Sequence, residues 1–308
     1  SANYGEALKQ HTLALAIWQD VYGDLHPDVA RSLNNIGNVY NKLGLYSEAL
    51  KKYEEVLVIK KGLYGNIHPE IVTALNNIAS MHDNMEHCTE ALTFYQEAMA
   101  VSKELSSDND ASLATILNNI GNVYNKLGLD SEAETHYRDS LVIKKEIFGE
   151  GHAEVATTLN NMGSMYANQK KYPAALECFE ESLSIRREIY GDKHLLVSES
   201  VNNLGYTYYS LSIYESALVC FKEVLEINRG FFSDDHPEIL SNLHFIENLE
   251  EKLARYNLRS AKRQRDADSI DETAEQPAKK KAATEWRDES QSSLLEDSEA
   301  SYTMILGD

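Results

Sequence analysis

The stretch Leu33-Asn34-Asn35-Ile36-Gly37 decides the fold, because close copies of it return along the chain at a fixed interval. The interval is 42 residues (75 − 33 = 42), and the copies begin at Leu75, Leu117, Leu159 and Val201. One further step leads to Leu243. A constant period of this length is typical of a repeat protein, in which each repeat packs on its neighbours.

Each repeat is predicted to contain two helices. In the first helix, Leu33, Ile36 and Tyr40 recur at the spacing of one helical face, and Gly37 lets a neighbouring helix approach that face closely. After a break at residues 42–45, the second helix places a small residue, Ala49, before a large ring, Tyr53. Equivalents of this pair recur as Ala91 and Tyr95, Ala133 and Tyr137, Ala175 and Phe179, and Ala217 and Phe221.

The segments that link the repeats predict where helices begin and end. Residues 64–70 repeat the pattern of residues 22–28. Gly65 suits a C-terminal cap, and Pro69 followed by Glu70 suits the first turn of the next helix. We predict structural roles for the histidines of these segments, which are His26, His68, His152, His194 and His236.

The ends of the array give the predicted domain bounds. Residues 1–23 align with a second helix and form a half repeat, and five full repeats follow over about 24–233. The helix over about 238–255 has Glu247 in place of Gly and Glu250 in place of Tyr, so it is predicted to cap a solenoid of residues 1–258. Because the half repeat lacks its first helix, we expect this chain to be part of a longer protein.

These repeats resemble the tetratricopeptide repeat, whose pattern is Trp or Leu-x2-Leu-Gly-x2-Tyr followed by Ala-x3-Phe. The 42-residue period and the Gly-x2-His-Pro loop resemble the kinesin light chain-like subfamily, over residues 1–258. The resemblance implies an all-α fold, a right-handed superhelical solenoid of stacked helix-turn-helix repeats. It also implies that the first helices line a concave groove, which captures acidic peptides with an aromatic anchor.

Charge and composition restrict the classes of partner. The formal net charge is −20, and an acidic surface repels nucleic-acid phosphates and anionic lipid. The chain has no run of 18 apolar residues and shows no N-terminal leader, so we expect neither membrane insertion nor secretion. The three cysteines suit a reducing compartment, and we expect a cytoplasmic protein.

The sequence does not predict an enzyme, since it has no Gly-rich phosphate loop, nucleophile elbow or paired carboxylates. Loop histidines one repeat apart should lie about 10 Å from each other, which is too far to share a zinc ion. Cys178 and Cys220 are separated in the same way, so we expect them to stay reduced and to pack beside Phe179 and Phe221. We predict no catalytic residue, no cofactor and no metal.

The candidate binding residues lie on the first helices. An amide side chain can donate to and accept from the backbone of an extended peptide. For the column of asparagines at the Asn34 position we favour groove binding over inter-helix bonding, and for the column at the Asn35 position both roles stay open. The predicted peptide-binding residues of the concave face are Arg31, Asn34, Asn38, Asn41, Asn76, Asn118, Asn122, Asn125, Asn160, Asn202, Tyr206 and Tyr209.

Repeat five departs from the others at this face. Tyr206 and Tyr209 replace small or amide residues, while Tyr208 keeps the core position. Aromatic rings are frequent anchors of protein interfaces, so one interpretation is a contact with a partner. The other is that both rings fill the narrowing end of the superhelix.

From residue 259 the periodicity stops, and the polar composition of residues 259–308 predicts a disordered charged tail. The basic clusters Lys262–Arg265 and Lys279–Lys281 fit either a bipartite nuclear-import signal or a solvated linker. Leu294-Leu295 and residues 302–306 are candidates for a short docking motif.

The sequence predicts a scaffold or adaptor that binds an extended peptide or a helix of another protein, in the manner of a kinesin light chain-like cargo adaptor. The alternative is the repeat portion of a larger sensor or regulatory enzyme, whose effector domain would lie upstream. Self-association through the N-terminal face is a third hypothesis, because Trp18 stands where other repeats have Lys60, Lys144 or Arg186.

Overall fold

The computed structural model of the protein describes residues 2–105 and 111–271. These residues form twelve α-helices and no strand, which confirms the predicted all-α repeat solenoid. The helices are α1 (Ala2–Tyr22), α2 (Pro27–Lys42), α3 (Tyr46–Tyr64), α4 (Pro69–Asn84), α5 (Cys88–Leu105), α6 (Ala111–Lys126), α7 (Asp130–Phe148), α8 (Ala153–Asn168), α9 (Tyr172–Tyr190), α10 (Leu195–Ser210), α11 (Tyr214–Asn228) and α12 (Pro237–Asp271).

The helices belong to two compact units. Unit 1, Ser1–Gly191, contains α1–α9, and unit 2, Asp192–Asp308, contains α10–α12. In both units the two helices of a repeat pack on each other, as α2 does on α3 and α10 on α11. The second helix then packs on the first helix of the next repeat, as α3 does on α4 and α11 on α12.

A glycine on the first helix lets the ring of the second helix come close. Gly163 is buried in α8, and a Cβ atom at this position would lie 2.6 Å from a ring carbon of Phe179. At Gly37 the corresponding distance to the Tyr53 ring is 2.7 Å. Tyr53 and Phe179 are almost fully buried, so this contact forms the centre of each repeat.

The loop histidines cap the first helices. Each ring accepts a hydrogen bond through Nδ1 from the backbone N–H two residues later, at 3.1–3.3 Å, and thereby satisfies one free donor of the helix N-terminus. The ring of His68 also stacks on Tyr64, with 4.3 Å between the ring centroids. The histidines with this hydrogen bond are His26, His68, His152, His194 and His236.

Two substitutions of His68 should distinguish the stability contributed by its N-cap hydrogen bond from that contributed by its stacking on Tyr64. We expect His68→Ala to lower the free energy of unfolding by about 1 kcal/mol, the usual effect of losing an N-cap acceptor. His68→Asn keeps an acceptor near the position of Nδ1 and should retain most of that stability. Urea unfolding followed by circular dichroism measures both changes, and equal losses in the two variants would show that stacking on Tyr64 is what matters.

Buried lysines connect successive repeats. Lys144 of α7 is almost fully buried, and its Nζ lies 2.9 Å from a carboxylate oxygen of Glu154 and 3.0 Å from the hydroxyl of Thr158, both on α8. Lys60 reaches Glu70 of α4 in the same way, at 2.7 Å. Trp18, at the equivalent position of α1, packs instead against the apolar cluster that contains Val29 and Leu33 of α2.

His82 occupies the position that Tyr40 has in the first full repeat. Its ring stacks on Phe94 at 5.3 Å, and its Nδ1 is buried without a hydrogen-bond partner among the described residues. Burial lowers the pKa of His82, and the nearby His87 lowers it too, while Glu90 and Glu54 act in the opposite direction. The folded chain therefore binds a proton at this site less readily than the unfolded chain does.

This difference predicts a pH dependence of stability. The contribution of neutral His82 is complete above the unfolded pKa of about 6.5, and it should be lost progressively as the pH falls below that value. His82→Tyr, which introduces the residue of the other repeats, should flatten the dependence. Thermal unfolding at pH 7 and at pH 5 measures it, and His244→Tyr is the matched control, because this exposed ring of α12 is not among the groups that act on the pKa of His82.

The C-terminal helix is longer than predicted. Ile239, Ile246 and Leu249 are buried, and Glu247 and Glu250 are exposed, as a terminal helix requires. However, α12 continues to Asp271, beyond the end of the capping helix predicted near residue 255, so the structure describes the first part of the predicted tail as helix. No Gly or Pro follows Pro237 until Pro277, and Ala, Arg, Lys and Gln are good helix formers, so nothing interrupts the helix. Residues 272–308, with Lys279–Lys281, lie outside the described residues.

Candidate peptide-binding face

The predicted binding residues lie on the first helices of the repeats. In unit 1 these are α2, α4, α6 and α8, and α4 contacts α6 directly, as α6 contacts α8. Arg31, Asn34, Asn38 and Asn41 belong to α2. The exposed side of α2, α4, α6 and α8 is called the first-helix face below.

The two columns of asparagines bind each other across repeats. The side-chain N–H of Asn77 donates to Oδ1 of Asn34 at 3.2 Å. The same bond, also at 3.2 Å, joins Asn119 to Asn76 and Asn161 to Asn118. The column at the Asn34 position therefore forms inter-helix bonds, which was the less favoured of its two predicted roles. The Asn35 column bridges adjacent repeats.

Burial differs along the Asn34 column. Asn34 and Asn76 are half-buried, whereas Asn118 and Asn160 are each 6% exposed, which leaves little of their surface for a ligand. The carbonyl oxygens of Asn34, Asn76 and Asn118 are occupied by the bonds between repeats.

The column at the Asn38 position contacts the core ring of the same repeat. The hydroxyl of Tyr53 donates to Oδ1 of Asn38 at 2.7 Å, and Tyr137 donates to Asn122 at the same distance. Burial raises the pKa of Tyr53 to about 12, so its hydroxyl keeps the proton that it donates. Serine holds this position in two repeats, as Ser80 in the repeat of Tyr95 and as Ser164 in the repeat of Phe179, so it occurs with and without a ring hydroxyl.

A double-mutant cycle should show that Asn122 and Tyr137 act as a pair. Asn122→Ala leaves a buried hydroxyl without its acceptor and should lower the free energy of unfolding by about 1–3 kcal/mol. In Tyr137→Phe, which reproduces the ring of repeat four, the further loss from Asn122→Ala should be smaller by about 1 kcal/mol. Urea unfolding of the four proteins gives the coupling energy, and additive losses would contradict the pairing.

Three other predicted residues are more open to solvent. Arg31 is exposed and forms an ion pair with Asp28, three residues earlier on α2. Asn41 and Asn125 are half-buried near the C-terminal ends of α2 and α6. Beside Asn125, Lys126 binds Asp83 of the preceding repeat with 3.0 Å between Nζ and Oδ1.

In unit 2 the predicted residues belong to an aromatic cluster. Tyr206 packs edge-on against Phe221 and Phe245, at centroid distances of 5.0 and 5.5 Å. The hydroxyl of Tyr209 accepts a hydrogen bond from Nζ of Lys252 at 3.2 Å. Both tyrosines are half-buried, as is Asn202 on the same helix. Tyr206 therefore packs within this cluster, and both tyrosines remain accessible in part.

Phe245 and Lys252 were missed by the sequence reasoning. Phe245 stands where the earlier repeats have the Asn35 column, and Lys252 stands at the position of Lys42 and Lys126. The repeat alignment could have revealed the contact of Lys252 with Tyr209. The residue equivalent to Lys42 in one repeat lies beside the residue equivalent to Asn41 in the preceding repeat. The pair Lys126–Asp83 already shows that relation within unit 1.

The described residues contain no group of three or more His, Cys, Asp or Glu side chains that could hold a metal ion. Burial raises the pKa of Cys178 to about 11 and raises that of Cys88 as well, which makes both thiols poor nucleophiles. The asparagine side chains of the first helices suit binding through hydrogen bonds.

The family model of the tetratricopeptide repeat matches residues 1–62, 70–146, 112–167 and 154–230. The chain belongs to the tetratricopeptide repeat family. Repeats of this family generally mediate interactions between proteins. No protein with a curated description matches this sequence.

Similar solved structures support the same fold. BtubC (BKLC) from P. vanneervenii has a TM-score of 0.60 and 21% identity, and the match covers 76% of this chain and 93% of that protein. A protein of Podosopora anserina described as a kinesin light chain with nearly identical TPR-like repeats has a TM-score of 0.55 and 18% identity, over 68% and 99% of the two chains. A variant of that protein with one substitution has a TM-score of 0.55 and 17% identity, over 64% and 93%. The resemblance to kinesin light chain-like repeats is thus confirmed at the level of the fold.

No helix among residues 2–105 and 111–271 has the length and apolar character needed to cross a membrane.

Proposed function

We propose that this protein is a scaffold or adaptor that holds an extended segment of another protein on the first-helix face. The observation that carries the proposal is the orientation of the amides. The hydrogen bonds within the fold use the carbonyl oxygens of Asn34, Asn38, Asn76 and Asn122. Each of these side chains has an NH2 group besides, with two donors.

Fixed donors are suited to a peptide backbone. Bonds to Tyr53 and Tyr137 hold Asn38 and Asn122 in one orientation, so little side-chain freedom is lost when a ligand binds. Helix layers lie about 10 Å apart, and three residues of an extended chain span about the same distance. An extended peptide that crosses the repeats can therefore present a carbonyl group to each repeat.

The charge of the face bears on the class of partner. Arg31 and Lys126 are balanced by Asp28 and Asp83, so the face has paired charges of both signs. The whole chain has a net charge of −20, which disfavours nucleic acid. We propose a protein partner in the cytoplasm, bound chiefly through its backbone, in the role of a kinesin light chain-like adaptor.

Replacement of asparagine by aspartate tests this proposal without removing the internal bonds. In Asn38→Asp/Asn122→Asp, a carboxylate oxygen still accepts from Tyr53 and Tyr137, but the donors are lost and peptide carbonyls are repelled. We expect at least tenfold weaker capture of partner proteins from a cell extract, which equals about 1.4 kcal/mol for the lost donors. Quantitative mass spectrometry of the captured proteins provides the measurement.

The matched control is Asn66→Asp/Gln96→Glu, which makes the same chemical change in an exposed loop and on the exposed side of α5. It should capture the same proteins as the unsubstituted chain. Circular dichroism and the melting temperature establish that both variants fold. If the two variants lose the same proteins, or neither loses any, the first-helix face is not the binding surface.

A further inference from the structure

A basic surface lies on the C-terminal half of α12, although the protein as a whole is acidic. Residues 252–265 contain no Asp or Glu, and their basic residues are Lys252, Arg255, Arg259, Lys262, Arg263 and Arg265. With 100° per residue, Lys252, Arg255, Arg259 and Arg263 fall within an arc of about 80° on the helix. Arg255, Arg259 and Arg263 are exposed. This surface is called the α12 basic face.

The α12 basic face continues into an aromatic pocket within unit 2. A cavity of about 530 Å³ is lined by Tyr209, Phe245, Asn248, Leu249 and Glu251, with Lys252 and Arg255 at the junction with the basic face. Nζ of Lys252 lies 4.8 Å from the centre of the Tyr209 ring. The pocket thus offers apolar rings next to two cations, which suits a ligand with both acidic and apolar side chains.

The nearby carboxylates do not neutralise this surface. Glu251 pairs with Arg255 at 3.1 Å, and both side chains are about 70% exposed, so the pair is weak. Glu250 pairs with Lys222 of α11. Arg259 and Arg263 have no acidic residue four positions before them on α12, since those positions hold Arg255 and Arg259.

We propose that the acidic C-terminal segment of this same chain, residues 285–308, binds the α12 basic face and the adjoining pocket. The segment contains one basic residue, Arg287, and seven acidic residues, which are Glu285, Asp288, Glu289, Glu296, Asp297, Glu299 and Asp308. Apolar residues stand among the acids, including Trp286, Leu294, Leu295 and residues 302–306. The segment therefore has acidic side chains, which suit the α12 basic face, and apolar side chains, which suit the pocket.

The covalent connection permits this contact. From Asp271 back to Arg255 is 16 residues, which correspond to about 24 Å along a helix. Residues 272–284 can span at most about 45 Å, so Glu285 reaches Arg255 with chain to spare. A tether of this length gives an effective concentration in the millimolar range, which favours binding within one chain over binding of a separate peptide.

The contact is independent of the first-helix face, because all its residues belong to unit 2 and the C-terminal segment. It would cover Tyr209 and the adjoining basic side chains, so an external acidic ligand must compete with the segment for this site. The segment then acts as a built-in competitor at the α12 basic face.

Trp286 is a suitable probe, since the only other tryptophan of the sequence is Trp18. In the 308-residue chain with Trp18→Phe, acrylamide quenching of fluorescence reports on Trp286 alone. A ring that lies against a protein surface exposes one face, so we expect the quenching constant to be about half that of the free peptide 285–308. The value should be independent of protein concentration and should rise in about 0.5 M NaCl, where charges are screened.

Charge reversal distinguishes the proposed site from general attraction. On the Trp18→Phe background, Arg255→Glu/Arg259→Glu should raise the quenching constant to the value of the free peptide. Lys193→Glu/Lys222→Glu, on exposed residues of unit 2 outside the α12 basic face, makes the same change in net charge and should leave the constant low. The proposal is overturned if the unreversed protein already equals the free peptide, if both pairs act alike, or if quenching depends on protein concentration. Partner capture by the first-helix face is unaffected by either outcome.

Discussion

The packing of a glycine against an aromatic ring is the contact on which each repeat depends. With a side chain at Gly37 or Gly163, the ring of Tyr53 or Phe179 would have to move, because a Cβ atom would lie within 2.7 Å of it. The short distance between the helices brings the hydroxyl of Tyr53 to Asn38, one position after the glycine. The core contact therefore also decides how an asparagine on the first-helix face is oriented.

The constant period fixes a second relation, between residues 43 apart. Asn34 meets Asn77, Asp83 meets Lys126, and Tyr209 meets Lys252, each at 3.0–3.2 Å. An insertion of one residue in any repeat would rotate the following helix by about 100° and separate these pairs. Hydrogen bonds and ion pairs of this kind give the stack its register, whereas apolar burial provides most of its stability.

Much of the fold could be predicted from the sequence, because the pattern of helix pair, glycine and aromatic ring occurs in five successive repeats. The helix pairs, the glycine positions and the loop histidines could all be read from the period. The binding residues were harder to predict, because a half-exposed amide on a helix is compatible with two roles and only the position of the neighbouring repeat decides between them. Thus Asn118 was assigned to a ligand, although Asn161 binds its carbonyl oxygen. The length of α12 was missed because its residues 254–263 are exposed, and an exposed stretch of helix has no apolar period to reveal it.

The last helix that the structure describes shows where the column of amide bonds ends. In α12 the position of Asn77 is held by Phe245, which cannot donate the bond that Asn34 receives in the first repeat. Asn202 consequently has no amide partner of this kind in the last helix, and α10 contacts α12 through the rings of Tyr206 and Phe245 instead, both of which also pack on Phe221 of α11. An amide column can continue only while another repeat follows. Within unit 2, where the last helix offers no amide, aromatic packing takes the place of the directed hydrogen bonds.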